Sequence, residues 1–140
     1  MLSFHDLLSF LRIPCAKEAP LGVRGERLAV RYLRRKGYKI VACNWSDTLG
    51  ELDVVAVDGR TIVFVEVKTW ATVSDESPSL AVDDDKQSRL TRLALRFLKH
   101  HDLLECSARF DVVAIRWQEE PTIEHIRNAF EPKGKWQFFS

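Results

Sequence analysis

Residues 51–69, ELDVVAVDGRTIVFVEVKT, constrain the fold more than any other stretch of the chain. Two runs rich in β-branched and aromatic residues flank Asp58–Gly59, a two-residue turn signal, so the segment reads as a β-hairpin. Strand side chains alternate between faces. Glu66 and Lys68 therefore project beside Ile62 and Phe64, while Val63, Val65 and Val67 fill the other side. A lone charge on a buried face is costly unless it is paired, hydrated or bound to a metal. The turn sets what faces these charges. Pairing Val57 with Arg60 places Asp53 opposite Phe64 and Glu51 opposite Glu66, whereas a four-residue loop places Asp53 across from Glu66. Either register puts Asp53, Glu66 and Lys68 on one face, with Glu51 at its end; a three-residue loop would separate them.

The remaining elements follow from periodicity. GVRGERLAVRYLRRKGYKI predicts an amphipathic helix over 23–36, closed by Gly37, with Val23, Ala29, Val30 and Leu33 on its apolar stripe. Arg24, Arg27, Arg31, Arg34 and Arg35 take the opposite side, and Glu26 falls within the stripe, directed toward the body of the protein. A short strand is expected at 38–43. DDDKQSRLTRLALRFLKHH predicts a second helix capped near Asp83, with Leu90, Leu93, Ala94, Phe97 and Leu98 buried and Lys86 extending that stripe. ARFDVVAIRW reads as a strand, and PTIEHIRNAF as a short strand or irregular closing segment. Phe4, Leu7, Leu8 and Leu11 stand at helical spacing ahead of a Pro- and Gly-containing linker, and Trp136, Phe138 and Phe139 mark an aromatic tail. The domain reading is a helix and linker over 1–20, an α/β body over 21–130 and a tail over 131–140.

Composition narrows the function classes. A chain of 140 residues suits one domain, and no apolar run approaches the ~20 residues of a membrane-spanning helix. The N-terminal apolar residues are interrupted by His5, Asp6 and Arg12, which argues against a signal peptide. Three widely spaced cysteines and no Cys/His cluster argue against a disulfide scaffold and a zinc site, and fit a reducing cytoplasm. With a formal charge of +1, affinity for nucleic acid must come from local patches such as the arginines of the first helix.

Asp53 and Glu66 on one face repel each other when left empty; such a pair shares a proton or binds a hard cation. Oxygen donors without nearby His or Cys favour Mg²⁺, with Mn²⁺ as a substitute. Lys68 beside them can orient a water and offset charge growing on a phosphate. These are the parts of a phosphodiester hydrolase. The structural alternative is a Glu66–Lys68 pair at a sheet end with Asp53 capping a turn; the inward Glu26 weighs toward the metal site.

The same residues carry a family resemblance. GELDVVAVDGRTIVFVEVKT contains the D-x(n)-E-x-K pattern of the PD-(D/E)xK nucleases. With GERLAVRYLRRKGYKIV, Asn44–Trp45, the lysine of DDDKQSRL and RFDVVAI, the stretch from about Gly22 to Phe130 resembles the YraN-like family of predicted endonucleases, related to archaeal Holliday junction resolvases. The resemblance implies a restriction-endonuclease-like core: a mixed β-sheet flanked by helices, here with a short N-terminal helical extension. It also implies that Asp53 and Glu66 bind Mg²⁺, that Lys68 assists the attacking water and that Glu26 supports the site. The implied partner is DNA, branched forms included, with no membrane; Arg24, Arg27 and Arg31 of the basic helix, with Lys86, are the expected contacts. Two nicks across a four-way junction would suit a homodimer. The chain departs from the pattern at Trp70, where the family usually has arginine, and at Ser46–Asp47, where an arginine often follows the Asn–Trp pair. Two rival expectations are a nucleic-acid-binding module without turnover and an interaction protein working through its terminal segments.

Overall fold

The computed structural model describes residues 20–71, 76–78 and 82–134. The helix expected around Phe4–Leu11 and the aromatic tail at Trp136, Phe138 and Phe139 lie outside the described residues. Seven elements follow in order: α1 (Leu21–Arg35), β1 (Lys39–Asp47), β2 (Gly50–Asp58), β3 (Thr61–Trp70), α2 (Asp84–His100), β4 (Ala108–Trp117) and β5 (Pro121–Phe130). The strands form one sheet in the order β1-β2-β3-β4-β5. Neighbours are antiparallel except β3 and β4, which α2 connects in parallel. This is a mixed α/β sheet flanked by two helices, compatible with the restriction-endonuclease-like core expected from the sequence.

Each helix covers one face. Ala29, Val30 and Leu33 of α1 pack with Val54, Ala56, Val63, Val65, Val113 and Ile115. Leu90, Leu93 and Phe97 of α2 pack with Val55, Val57, Ile62, Phe64, Phe110 and Val112 on the other side. The stripe of α2 is as predicted, and Asp83 caps the helix by accepting the Lys86 N–H at 2.8 Å. The stripe of α1 differs at its start. Val23 is exposed, and Gly25 is buried in its place. A side-chain carbon at Gly25 would collide with the Thr69 hydroxyl, so glycine lets the helix backbone settle directly on β3.

The hairpin turn also shifts. Asp58 pairs with Thr61 and Val57 with Ile62, leaving Gly59 and Arg60 in the turn, with Gly59 at φ +62°. The turn therefore sits one residue later than Asp58–Gly59, and the register is the one that aims Asp53 toward Glu66. The fifth strand is a full ten residues and not a short closing piece. Its alternation is hidden from an apolar count because Glu124 and His125 separate Ile123, which packs on the α1 side, from Ile126, which packs on the α2 side.

Candidate metal and nuclease site

The site lies where two ladders part. Pairing between β2 and β3 runs from the turn only as far as Val54 and Val65. Beyond that point β2 continues with β1 to Gly50, and β3 continues with β4 to Trp70. The strands thus fork, and the Asp53 carboxylate occupies the fork, accepting the Val67 N–H at 2.9 Å in place of a ladder bond. Strict alternation fails at this position. Cys43 and Val54 pack on the α1 side, whereas their strand neighbours two residues on, Trp45 and Leu52, pack on the α2 side. Asn44, between the first pair and the second, has φ +53°, a left-handed conformation that asparagine tolerates. The ribbon of β1 and β2 turns over here, so Asp53 reaches the fork through a twist rather than by simple parity.

Charges gather at this fork from both layers. Glu26, presented by α1 one residue after the close Gly25–Thr69 approach, joins Glu51 and Asp53, with one carboxylate oxygen of each within 4.8 Å of the others. Glu66 faces α2, hydrogen-bonds to Asp53 and forms an ion pair with Lys86. Burial, followed by the charge of Glu66, pushes the Asp53 carboxyl up to about 8. Burial also raises Glu26 above the usual carboxylate range; a hydrogen bond with Asn44 opposes this, and Glu51 and Glu66 add to it. A group of oxygen donors in which Asp53 and Glu26 resist ionising has the chemistry of a candidate hard-cation site.

The other expected residues fall in several places. Lys68 shares the α2-side face with Glu66 along the unbroken β3–β4 register and has no ion pair among the described residues. Lys86 is brought to the carboxylates and not to a separate surface. Arg31 is exposed on α1. Arg24 lays its guanidinium 4.8 Å from the centre of the Trp117 ring. Arg27 is half-buried, with Nε and Nη2 shielded from solvent and without a hydrogen-bond partner among the described residues. Trp70 sits under the Arg116 guanidinium at 4.9 Å and directs its indole N–H to Glu76, so it covers the end of the sheet. Sequence reasoning placed Glu51 at the end of the charged face but did not reach Asn44 as the partner of Glu26. An asparagine interrupting a strand just before an aromatic residue was the available signal.

Comparison with known proteins identifies the family. A family model described as Uncharacterised protein family UPF0102 matches residues 25–115, which contain Glu26, Glu51, Asp53, Glu66, Lys68 and Lys86. A UPF0102 protein of Rhodopirellula baltica is 46% identical over 129 residues, covering 88% of this chain and 77% of its own length. One of Geobacter sulfurreducens is 50% identical over 113 residues, covering 79% of this chain and 88% of the relative. A third, of Rhodococcus jostii, is 44% identical over 117 residues, or 82% of this chain and 99% of the relative. With the matched stretch running from within α1 to within β4 and every carboxylate of the fork inside it, the chain belongs to UPF0102, the YraN-like family its motifs resemble.

Proposed function

We propose that the protein is a metal-dependent endonuclease that hydrolyses phosphodiester bonds in DNA. The observation that carries this reading is the convergence of Glu26, Glu51 and Asp53 at the strand fork, with Glu66 bonded to Asp53 and Lys68 on the same face as Glu66. The donor set is all oxygen, which fits Mg²⁺ or Mn²⁺. Asp53 and Glu66 are the residues to hold the cation, with Glu26 and Glu51 beside Asp53 as support. The ion would supply a Lewis acid for a phosphate oxygen and lower the pKa of a water.

The protein's own groups do the rest. The Val67 N–H bond orients the Asp53 carboxyl in the fork, and a cation bound there would replace the proton that this group otherwise retains. Lys68 donates to the attacking water or to a phosphate oxygen and offsets the negative charge that grows there. Arg24 and Arg31 are the α1 residues we assign to flanking phosphates; the shielding of the Arg27 Nε and Nη2 disfavours Arg27 for that role. Branched DNA as the preferred substrate, and a homodimer delivering two nicks, rest on the resolvase resemblance. The cytoplasm as the working compartment rests on the cysteine pattern. No helix among the described residues is long and apolar enough to cross a membrane.

The test is cleavage of duplex, single-stranded and four-way-junction DNA in Mg²⁺, Mn²⁺ or EDTA, with wild type beside Asp53→Ala and Lys68→Ala. The expected result is metal-dependent product from wild type, reduced at least ~100-fold in either variant, with DNA binding little changed. Salt-sensitive binding without product from a folded wild type on any substrate would identify a binding module of the same fold instead.

A further inference from the structure

Lys86 stands at a position that local rules disfavour. It is the third residue of α2, at the positive end of the helix dipole, where a glutamate or glutamine would complete the cap. Asp83 accepts its backbone N–H, and Asp84 and Asp85 precede it in the first turn, yet the ammonium does not stay with them. It turns inward along the side of the helix that carries Leu90, one turn on, and ends on Glu66. The Glu66 side chain is only 10% exposed and that of Lys86 29%. Of the four carboxylates at the fork, Glu66 alone has an ion pair among the described residues. Lys86 therefore places its positive charge on the oxygen set that the proposed function assigns to a divalent cation.

We infer that Lys86 is a resident counter-ion of the metal-free site, a positioning residue that exchanges Glu66 for the substrate's phosphate when a divalent cation enters. This inference rests on the metal-site reading above. Two cations cannot both sit on one face of Glu66 without repulsion, so binding of the divalent ion displaces the ammonium. Its partly exposed stem, anchored at a helix end beside the fork, lets the ammonium move outward without moving the helix. The released charge then lies beside the place where an anionic phosphodiester must approach, while Lys68 stays on β3 for the water. The exchange links cation loading to the grip on DNA, and linkage requires the coupling to run both ways.

The experiment measures Mn²⁺ binding by calorimetry to the full chain without DNA, for wild type, Lys86→Met, Lys86→Arg and Asp53→Asn, together with melting temperatures in EDTA. Lys86→Met removes the competing charge at similar volume. It is expected to bind Mn²⁺ about tenfold more tightly than wild type, the scale of one charge-assisted contact, and to melt lower in EDTA, with Mn²⁺ closing the gap. Lys86→Arg keeps a cation and should track wild type in both. Equal or weaker Mn²⁺ binding by Lys86→Met, with wild-type binding still lost in Asp53→Asn, overturns the exchange and leaves Lys86 as a strut that holds Glu66. Absence of Mn²⁺ binding in wild type and Lys86→Met alike removes the metal-site reading and the exchange with it.

Discussion

Asp53 on β2 and Asp111 on β4 are both carboxylates set within strands of the same sheet, and the fold treats them in opposite ways. Asp111 has no exposed surface. It accepts Arg109 Nε at 3.0 Å and the Asn128 N–H at 2.9 Å, and His125 Nε2 lies 2.8 Å away. Arg109 in turn reaches Asp58 and the Tyr38 hydroxyl, and the other His125 nitrogen faces the Tyr32 hydroxyl. Burial alone would raise the Asp111 carboxyl, but the bonds from His125, Arg109 and Asn128 outweigh it and hold the group below the usual carboxylate range. Asp53 has one backbone N–H and lies among Glu66, Glu26 and Glu51; burial, then the charges of Glu66 and Glu26, push it the other way. The chain thus builds complete solvation for a buried carboxylate when the purpose is folding. At the fork it supplies Asp53 a single backbone donor beside other carboxylates, an imbalance that the proposed cation would relieve.

The sharpest separation of the two regions is by substitution. Asp111→Ala leaves the Arg109 guanidinium and His125 without their buried acceptor and should cost about 3–5 kcal/mol, the scale of breaking a buried pair from one side. Urea unfolding measures the loss, and Mn²⁺ affinity of the folded fraction should not change. Asp53→Asn removes repulsion instead, and in EDTA at pH 8 should stabilise the protein by on the order of 2 kcal/mol while abolishing Mn²⁺ binding. Equal destabilisation by both would mean that Asp53 is a structural group like Asp111, and the contrast would collapse.

A smaller effect appears in the pH dependence of stability without metal. The folded-state value of Asp53 lies near 8, above its ordinary 3.8. Between these values the folded protein keeps a proton that the unfolded chain has lost, so this group's contribution is full below about pH 4 and declines as pH rises toward 8. Asp111, held low, contributes with the opposite sign: its stabilisation is present above 3.8 and is lost as pH falls below that value. Melting temperatures in EDTA should therefore decline from near-neutral acidity toward pH 8 in wild type and stay flatter in Asp53→Asn. A parallel decline in the two proteins would place the titrating group elsewhere.

The same contrast separates what the sequence made legible from what it did not. The apolar stripes of α2 and β3 and the two charges on the α2-side face of β3 follow from period alone, because regular elements repeat. Asp53 was legible as a member of the site, but its position at a twist was not, since a strand that changes faces violates the rule used to read it. Gly25 carried no signal in the sequence, and its purpose emerges only from the Thr69 side chain of β3 lying against it. The Asp111 network was invisible for a similar reason. Tyr38 lies 71 positions from Arg109, and His125 reaches Asp111 from the neighbouring strand 14 positions on, so no local pattern announces that they meet. Lys86 was legible as inward-facing; its partner on another element was not.

The smallest expected effect bears on the DNA half of the reading and uses α1, the element that supplies Glu26 on one side and exposed cations on the other. Arg31 is exposed and has no ion pair among the described residues, so its loss should leave stability within about 0.5 kcal/mol of wild type. If its guanidinium meets a phosphate, Arg31→Gln should lower the slope of log affinity against log salt by about one and weaken binding evenly across DNA sequences. The same substitution should leave Mn²⁺ affinity in the absence of DNA unchanged, because α1 turns Arg31 away from the fork that Glu26 enters. A lost salt slope with intact metal binding assigns the two faces of α1 to separate tasks. An unchanged slope places the DNA path off this helix face, and the cations that steer it must then be sought nearer Lys68 and Lys86.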